Sequence, residues 1–202
     1  MSTEQKQGSA AAPGHQVTPQ HENRIPRIES RGRSAVALAV TRIAVGFVFL
    51  WAFLDKTFGF GYATPSERAW INGGSPTEGF LSNLQAGPLR GMFQAWAGEP
   101  WADWLFMLGL AGIGIAVILG IGLRISAVAA SLMMLMMWAA EWPLARFGYS
   151  GEPTMSTNPF MDYHLIYALV LIVCAAAYAG HTWGLGRFWE KTALVGRNRW
   201  LL

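Results

Sequence analysis

Residues 34–54 read SAVALAVTRIAVGFVFLWAFL, an apolar run interrupted only by Thr41 and Arg42. At about 1.5 Å rise per residue, a helix of this length spans the roughly 30 Å hydrocarbon layer of a bilayer. Three further stretches have the same character. Trp101 to Leu123 is broken only by Asp103, Ile125 to Trp142 carries Glu141 near its end, and roughly Pro159 to Tyr178 carries Asp162 and His164 in its first turns. In lipid the backbone must satisfy its own hydrogen bonds, so such runs predict helices. One of them alone would suit the core of a soluble protein. Four together leave too few polar residues to coat them, since 52% of the 202 residues are hydrophobic and 13% charged, about half the usual charged fraction. The prediction is an all-α membrane protein: a four-transmembrane-helix bundle with helices at about 34–56, 100–123, 125–142 and 159–180.

The flanks differ in composition. Residues 1–33 are polar, rich in Pro, Gly, Ser and Gln, and end in Arg24, Arg27, Arg31 and Arg33. They lack the apolar centre of a signal peptide and read as a disordered basic tail. Residues 181–202 form a second basic segment with Arg187, Lys191, Arg197 and Arg199. With Arg124 and Lys6 these place ten cations on one side of the predicted bundle, against Lys56, Arg68, Arg90 and Arg146 on the other. The positive-inside rule then predicts a multi-pass cell-membrane protein with both termini cytoplasmic and loops 57–99 and 143–158 outside. Trp70, Trp96, Trp101, Trp104, Trp138 and Trp142 fall at the predicted outer level, and Trp183, Trp189 and Trp200 at the inner, as interfacial indoles do.

The loop over 57–99 is too long for a simple connection. Thr64-Pro65-Ser66-Glu67 and Ser75-Pro76-Thr77-Glu78 each resemble a helix start, a hydroxyl cap followed by Pro and Glu. Short interfacial helices are predicted here, lying on the membrane or capping the bundle. Pro100-Trp101-Ala102-Asp103 and Pro159-Phe160-Met161-Asp162 share Pro-aromatic-x-Asp. Helix-start physics or a weak internal repeat explains the likeness equally well.

Several chemistries are excluded. Cys174 is the single cysteine, so the chain forms no internal disulfide and no cysteine-held metal or iron–sulfur cluster. No dinucleotide fingerprint, P-loop or HExxH occurs. His164 and His181 lie at opposite ends of one predicted helix and cannot jointly ligate a haem. No bound haem, flavin or metal is therefore indicated. The basic residues fit anionic headgroups better than nucleic acid.

The ionisable residues inside the apolar runs are the functional candidates. Arg42 lies about eight residues into the predicted first helix, roughly 12 Å deep. Two readings stay open for it: snorkelling to cytoplasmic headgroups, or a buried partner or bound headgroup. At the outer end Asp55, Lys56, Asp103, Glu141, Asp162 and His164 fall at similar depth on four predicted helices. Carboxylates, an ammonium and an imidazole together can handle protons, although each could equally be a dipole partner or an interfacial ion pair.

Four stretches carry a family resemblance: RIAVGFVFLWAFLDKTFGFG at 42–61, WINGGSPTEGFL at 70–81, LGIGLRISAVAA at 119–130 and NPFMDYHLIYALVL at 158–171. From about Arg42 to Arg187 the chain resembles the DoxX/DoxD membrane proteins, and is most similar to the DoxD-like members. DoxD is the large subunit of thiosulfate:quinone oxidoreductase. The resemblance implies a membrane subunit that passes electrons from thiosulfate, oxidised to tetrathionate, to quinone as a diffusible acceptor. His164, with Asp162 or Asp55, would then donate to a quinone carbonyl and Lys56 would stabilise charge, making these the catalytic candidates. His164, Lys56, Arg42, Glu141 and Asp103 are the candidates for contact with the guest. Outside residues are more acidic than basic, which steers a dianion poorly, so a second subunit or a homo-oligomer is expected. The alternative is a non-catalytic accessory or scaffold subunit of a membrane complex, with a small transporter third.

Overall fold

The structure, a computed structural model, describes residues 27–201. The predicted tail over residues 1–26, Arg24 included, lies outside the described residues. Among those described the protein is helical throughout, without a β-strand. Its long helices are α1 (Arg27–Phe58), α4 (Pro100–Leu119), α5 (Leu123–Glu141) and α6 (Tyr163–Ala176), with short α2 (Glu78–Leu81) and α3 (Arg90–Ala95) between α1 and α4, and short α7 (Gly186–Trp189) and α8 (Ala193–Arg197) after α6.

Three helices, α1, α4 and α5, are long and apolar enough to cross a membrane, whereas α6 has 14 residues. The fourth apolar run is shorter as a helix than expected because Asp162 starts it. Its carboxylate caps the Leu165 amide at 3.2 Å, which leaves Pro159 to Met161 outside the helix. The first helix is longer than expected and begins at Arg27, so residues 27–33 are helical rather than part of a disordered tail.

α1 packs on α4 and α5 on α6, and the four long helices share one core. Its centre is Phe49, Met107, Leu110, Ile113, Val117, Ala130, Met134 and Leu171. The α1–α4 contact is close because small residues allow it: a Cβ on Gly114 would lie 2.7 Å from the Leu50 backbone nitrogen. Close backbone approach through glycine is how helices associate where burial of apolar surface gives no drive. The opposite flanks stay apolar and exposed, with Val128, Leu132 and Leu135 on α5 and Ile166, Leu169 and Ile172 on α6. Such a surface suits lipid, not water.

The long loop folds into a cap. Leu81, Leu84 and Phe93 bury themselves against Ala140 near the end of α5, so α2 and α3 cover the start of α4 and the end of α5. One of the two predicted starts forms in part: the Ser75 hydroxyl accepts from the Glu78 amide at 3.1 Å, but α2 begins only at Glu78, with Thr77 and not Ser75 at its N-cap. The other does not, since Pro65 precedes a 3₁₀ turn over Ser66–Arg68 without a side-chain cap. The two Pro-aromatic-x-Asp segments also differ in register. Pro100 is inside its helix and Asp103 is in the first turn, whereas Asp162 is itself the N-cap.

Candidate functional site

Arg42 is fully buried, and its guanidinium ties three segments together. Nη1 donates to the Val117 carbonyl and, at 2.6 Å, to that of Ile118. Nη2 donates to Thr182 and Trp183 carbonyls at 3.3 and 2.9 Å. At the end of α4 the Val117 carbonyl also receives the Gly120 amide at 3.1 Å; the final carbonyls of a helix lack the usual intrahelical donors, and a fixed cationic fork is well suited to them. Of the two readings open for Arg42, burial with protein partners is the one found, and the side chain does not snorkel. Space for it depends on glycine. A Cβ on Gly180 would stand 2.2 Å from the Gly120 carbonyl oxygen, and one on Gly184 3.0 Å from Arg42 Nη2.

Two carboxylates of the expected outer cluster fasten loops. Asp55 is buried and accepts from the Tyr62 and Ala63 amides at 3.3 and 3.0 Å, turning the chain back after α1. Asp103 is buried as well, and its Oδ1 receives the Ser75 hydroxyl at 2.9 Å, the Thr77 amide at 3.0 Å and the Thr77 hydroxyl at 2.6 Å. Three donors on one charged oxygen hold the cap to α4. Asp103→Ala is expected to lower stability by about 2–3 kcal/mol, the scale of losing hydrogen bonds to a buried charge. Asp103→Asn should fall between. Thermal unfolding in detergent measures both, and proteolysis should speed up within 73–79.

Three of the remaining members, Glu141, Asp162 and His164, meet at the junction of α5 and α6. Asp162 Oδ2 lies 2.8 Å from His164 Nδ1, and Glu141 Oε2 lies 3.9 Å from the same nitrogen. Tyr163 donates its hydroxyl to Glu141 Oε1 at 2.9 Å. His164 is fully buried, and its Nε2 has no hydrogen-bond partner.

A cavity of about 420 Å³ opens beside this junction, between α4 and α5 and beneath the cap. Its walls are apolar: Phe80, Phe93, Trp96, Trp101, Phe106 and the methionines 133, 136 and 137. Its polar groups come from Lys56, Thr77, Glu141 and Tyr163. Leu105, Leu132 and Met136 are exposed and belong to its lining, so the cleft opens on the lipid-suited flank. The Lys56 ammonium stands 6.0 Å from the Phe106 ring centre, and among the described residues no carboxylate lies within ion-pair distance of it.

No protein-family model, curated protein or solved structure matches this chain.

The structure thus brings Lys56 and Glu141 to the cleft and sets His164 and Asp162 behind Glu141. Asp55, Asp103 and Arg42 are not among its lining residues. Tyr163 is the lining group that sequence reasoning missed. A signal for it existed: it stands between Asp162 and His164, where a phenol at a helix start can reach the end of the preceding helix.

Proposed function

We propose that this chain is the membrane subunit of a quinone-linked oxidoreductase, with the quinone seated in the α4–α5 cleft. The observation that carries this reading is the cleft's division into an aromatic, methionine-rich wall and a small polar end. A quinone is an apolar ring with a long apolar tail and two carbonyl acceptors. It requires a slot reached from the lipid and a donor at the head, which the Lys56 ammonium offers, while the Tyr163 proton is held by Glu141 Oε1. The resemblance to DoxD-like proteins supplies the electron donor. Two thiosulfate ions lose one electron each to form tetrathionate, and the quinone takes both electrons and two protons from water to become the quinol.

The membrane arrangement belongs to the same proposal. The helices α1, α4, α5 and α6 are read as four crossings with both termini cytoplasmic. At about 1.5 Å per residue α6 covers roughly 21 Å, and its flanks, Phe160 and Met161 before it and Ala177 to Ala179 after it, complete the span. A second subunit, or a second copy, is the expected partner.

Purification in native-lipid particles, with extraction of the bound guest, tests the reading. A quinone is the expected guest. Added short-chain quinone should quench tryptophan fluorescence saturably, because Trp96 and Trp101 line the cleft. Absence of quenching, or a phospholipid as the sole guest, would overturn the proposal and favour the scaffold alternative.

A further inference from the structure

We infer that Glu141, Asp162 and His164 form a binding site for a divalent first-row transition cation, at the outer junction of α5 and α6. One ligand atom from each lies within 4.8 Å of the others. Bonds of about 2.0–2.2 Å to oxygen and nitrogen place ligands of one cation roughly 3.0–4.2 Å apart. The Nδ1-to-Oε2 distance of 3.9 Å falls within that spacing and the Nδ1-to-Oδ2 distance of 2.8 Å just below it, so small side-chain rotations complete it.

Charge argues for the same conclusion. Two carboxylates meet here next to an apolar cleft. Among the described residues the imidazole is their only ion-pair partner, at 3.9 Å for Glu141 and 2.8 Å for Asp162. Carboxylates collected at a partly desolvated place repel one another unless a cation sits between them. The imidazole supplies the second, independent observation. His164 is fully buried and its Nε2 is unpaired, so all of its polar bonding is directed through Nδ1 into the cluster.

The donor set also fixes the class of ion. One imidazole with two carboxylates and no thiolate suits Zn²⁺, Mn²⁺ or Fe²⁺ rather than a soft monovalent ion. Three protein ligands leave positions open to water or a ligand. The side chains of Glu141 and Asp162 are 34% and 12% exposed, which provides an entry path. Glu141 also lines the cleft, so a bound cation would stand at its polar end. The site does not depend on what the cleft holds, and its test uses quinone-free protein.

Purified protein stripped with EDTA should bind Zn²⁺ at one equivalent by calorimetry, raise its melting temperature on loading and return to the original value with EDTA. Added Mn²⁺ should lose its free-ion resonance signal in the same stoichiometry. Asp162→Asn is the discriminating variant, because asparagine caps a helix as well as aspartate does but lacks the charge. It should retain the metal-free melting temperature while Zn²⁺ affinity falls at least about tenfold. Glu141→Gln, at a part-exposed position, should do the same. Absence of saturable binding, or equal stabilisation of wild type and both variants by Zn²⁺, overturns the site.

Discussion

Arg42→Met should cost the protein about 3–5 kcal/mol of stability, the scale of removing the charged partner from a buried network. Among the described residues the guanidinium is the only side chain donating to the Val117 and Ile118 carbonyls, and it reaches Thr182 and Trp183 with its other nitrogen. Methionine fills much of the volume, so the loss would measure the hydrogen bonds rather than a cavity. The Ile118 carbonyl would then lose its donor, that of Val117 would keep only the Gly120 amide at 3.1 Å, and a carbonyl left without a donor away from water is costly. The chain after α6 should come loose first, because Thr182 and Trp183 tie it to α4. Lysine is expected to recover less than half of the loss: a single ammonium cannot present the two-pronged fork that bridges both segments. Thermal unfolding in detergent and hydrogen exchange over residues 179–189 measure the effect. A melting temperature unchanged in Arg42→Met would show that the clamp contributes nothing.

That clamp was half legible in the sequence. Its charge within an apolar run announced a residue that must be satisfied, but the partners are backbone carbonyls 75 to 141 positions away, and a carbonyl has no letter in a sequence. The long apolar helices were legible because their physics is local, a matter of length and hydrophobicity. The shortening of the fourth run was not, since it depends on whether Asp162 serves as a first-turn residue or as the cap. Asp55 and Asp103 looked like members of one cluster because one closes an apolar run and the other opens the next, at the same predicted level. What separates them is where the following loops bring their amide and hydroxyl donors. The cleft was the least legible feature. It arises because α4 pairs mainly with α1 and α5 with α6, leaving α4 and α5 apart beneath the cap, and no residue pattern within either helix encodes that gap.

Gly109→Leu should abolish tight binding of a long-tailed quinone while leaving the fold intact or slightly more stable. Gly109 lies on α4 and lines the cleft. It is nine residues from Pro100, roughly 13 Å from the start of the helix, where the tail of a guest with its head at Lys56 would run. A Cβ here would stand 2.3 Å from the Met133 terminal methyl, the far end of a flexible side chain that can move. Its way out is the cleft, so leucine and the displaced methionine together would occupy the tail's path. Leucine is also a better helix former than glycine by close to 1 kcal/mol, so a loss of binding could not be ascribed to unfolding. Affinity for a long-tailed quinone should fall at least about tenfold, which is roughly 1.4 kcal/mol, and affinity for a tail-less analogue should change much less. Lys56→Met would act at the head instead, and should weaken both ligands by a similar factor of about three to ten, the scale of one hydrogen bond. Fluorescence titration of the two variants with the two ligands separates these patterns. Unchanged binding of the long-tailed quinone by Gly109→Leu would mean that the guest lies elsewhere on the protein.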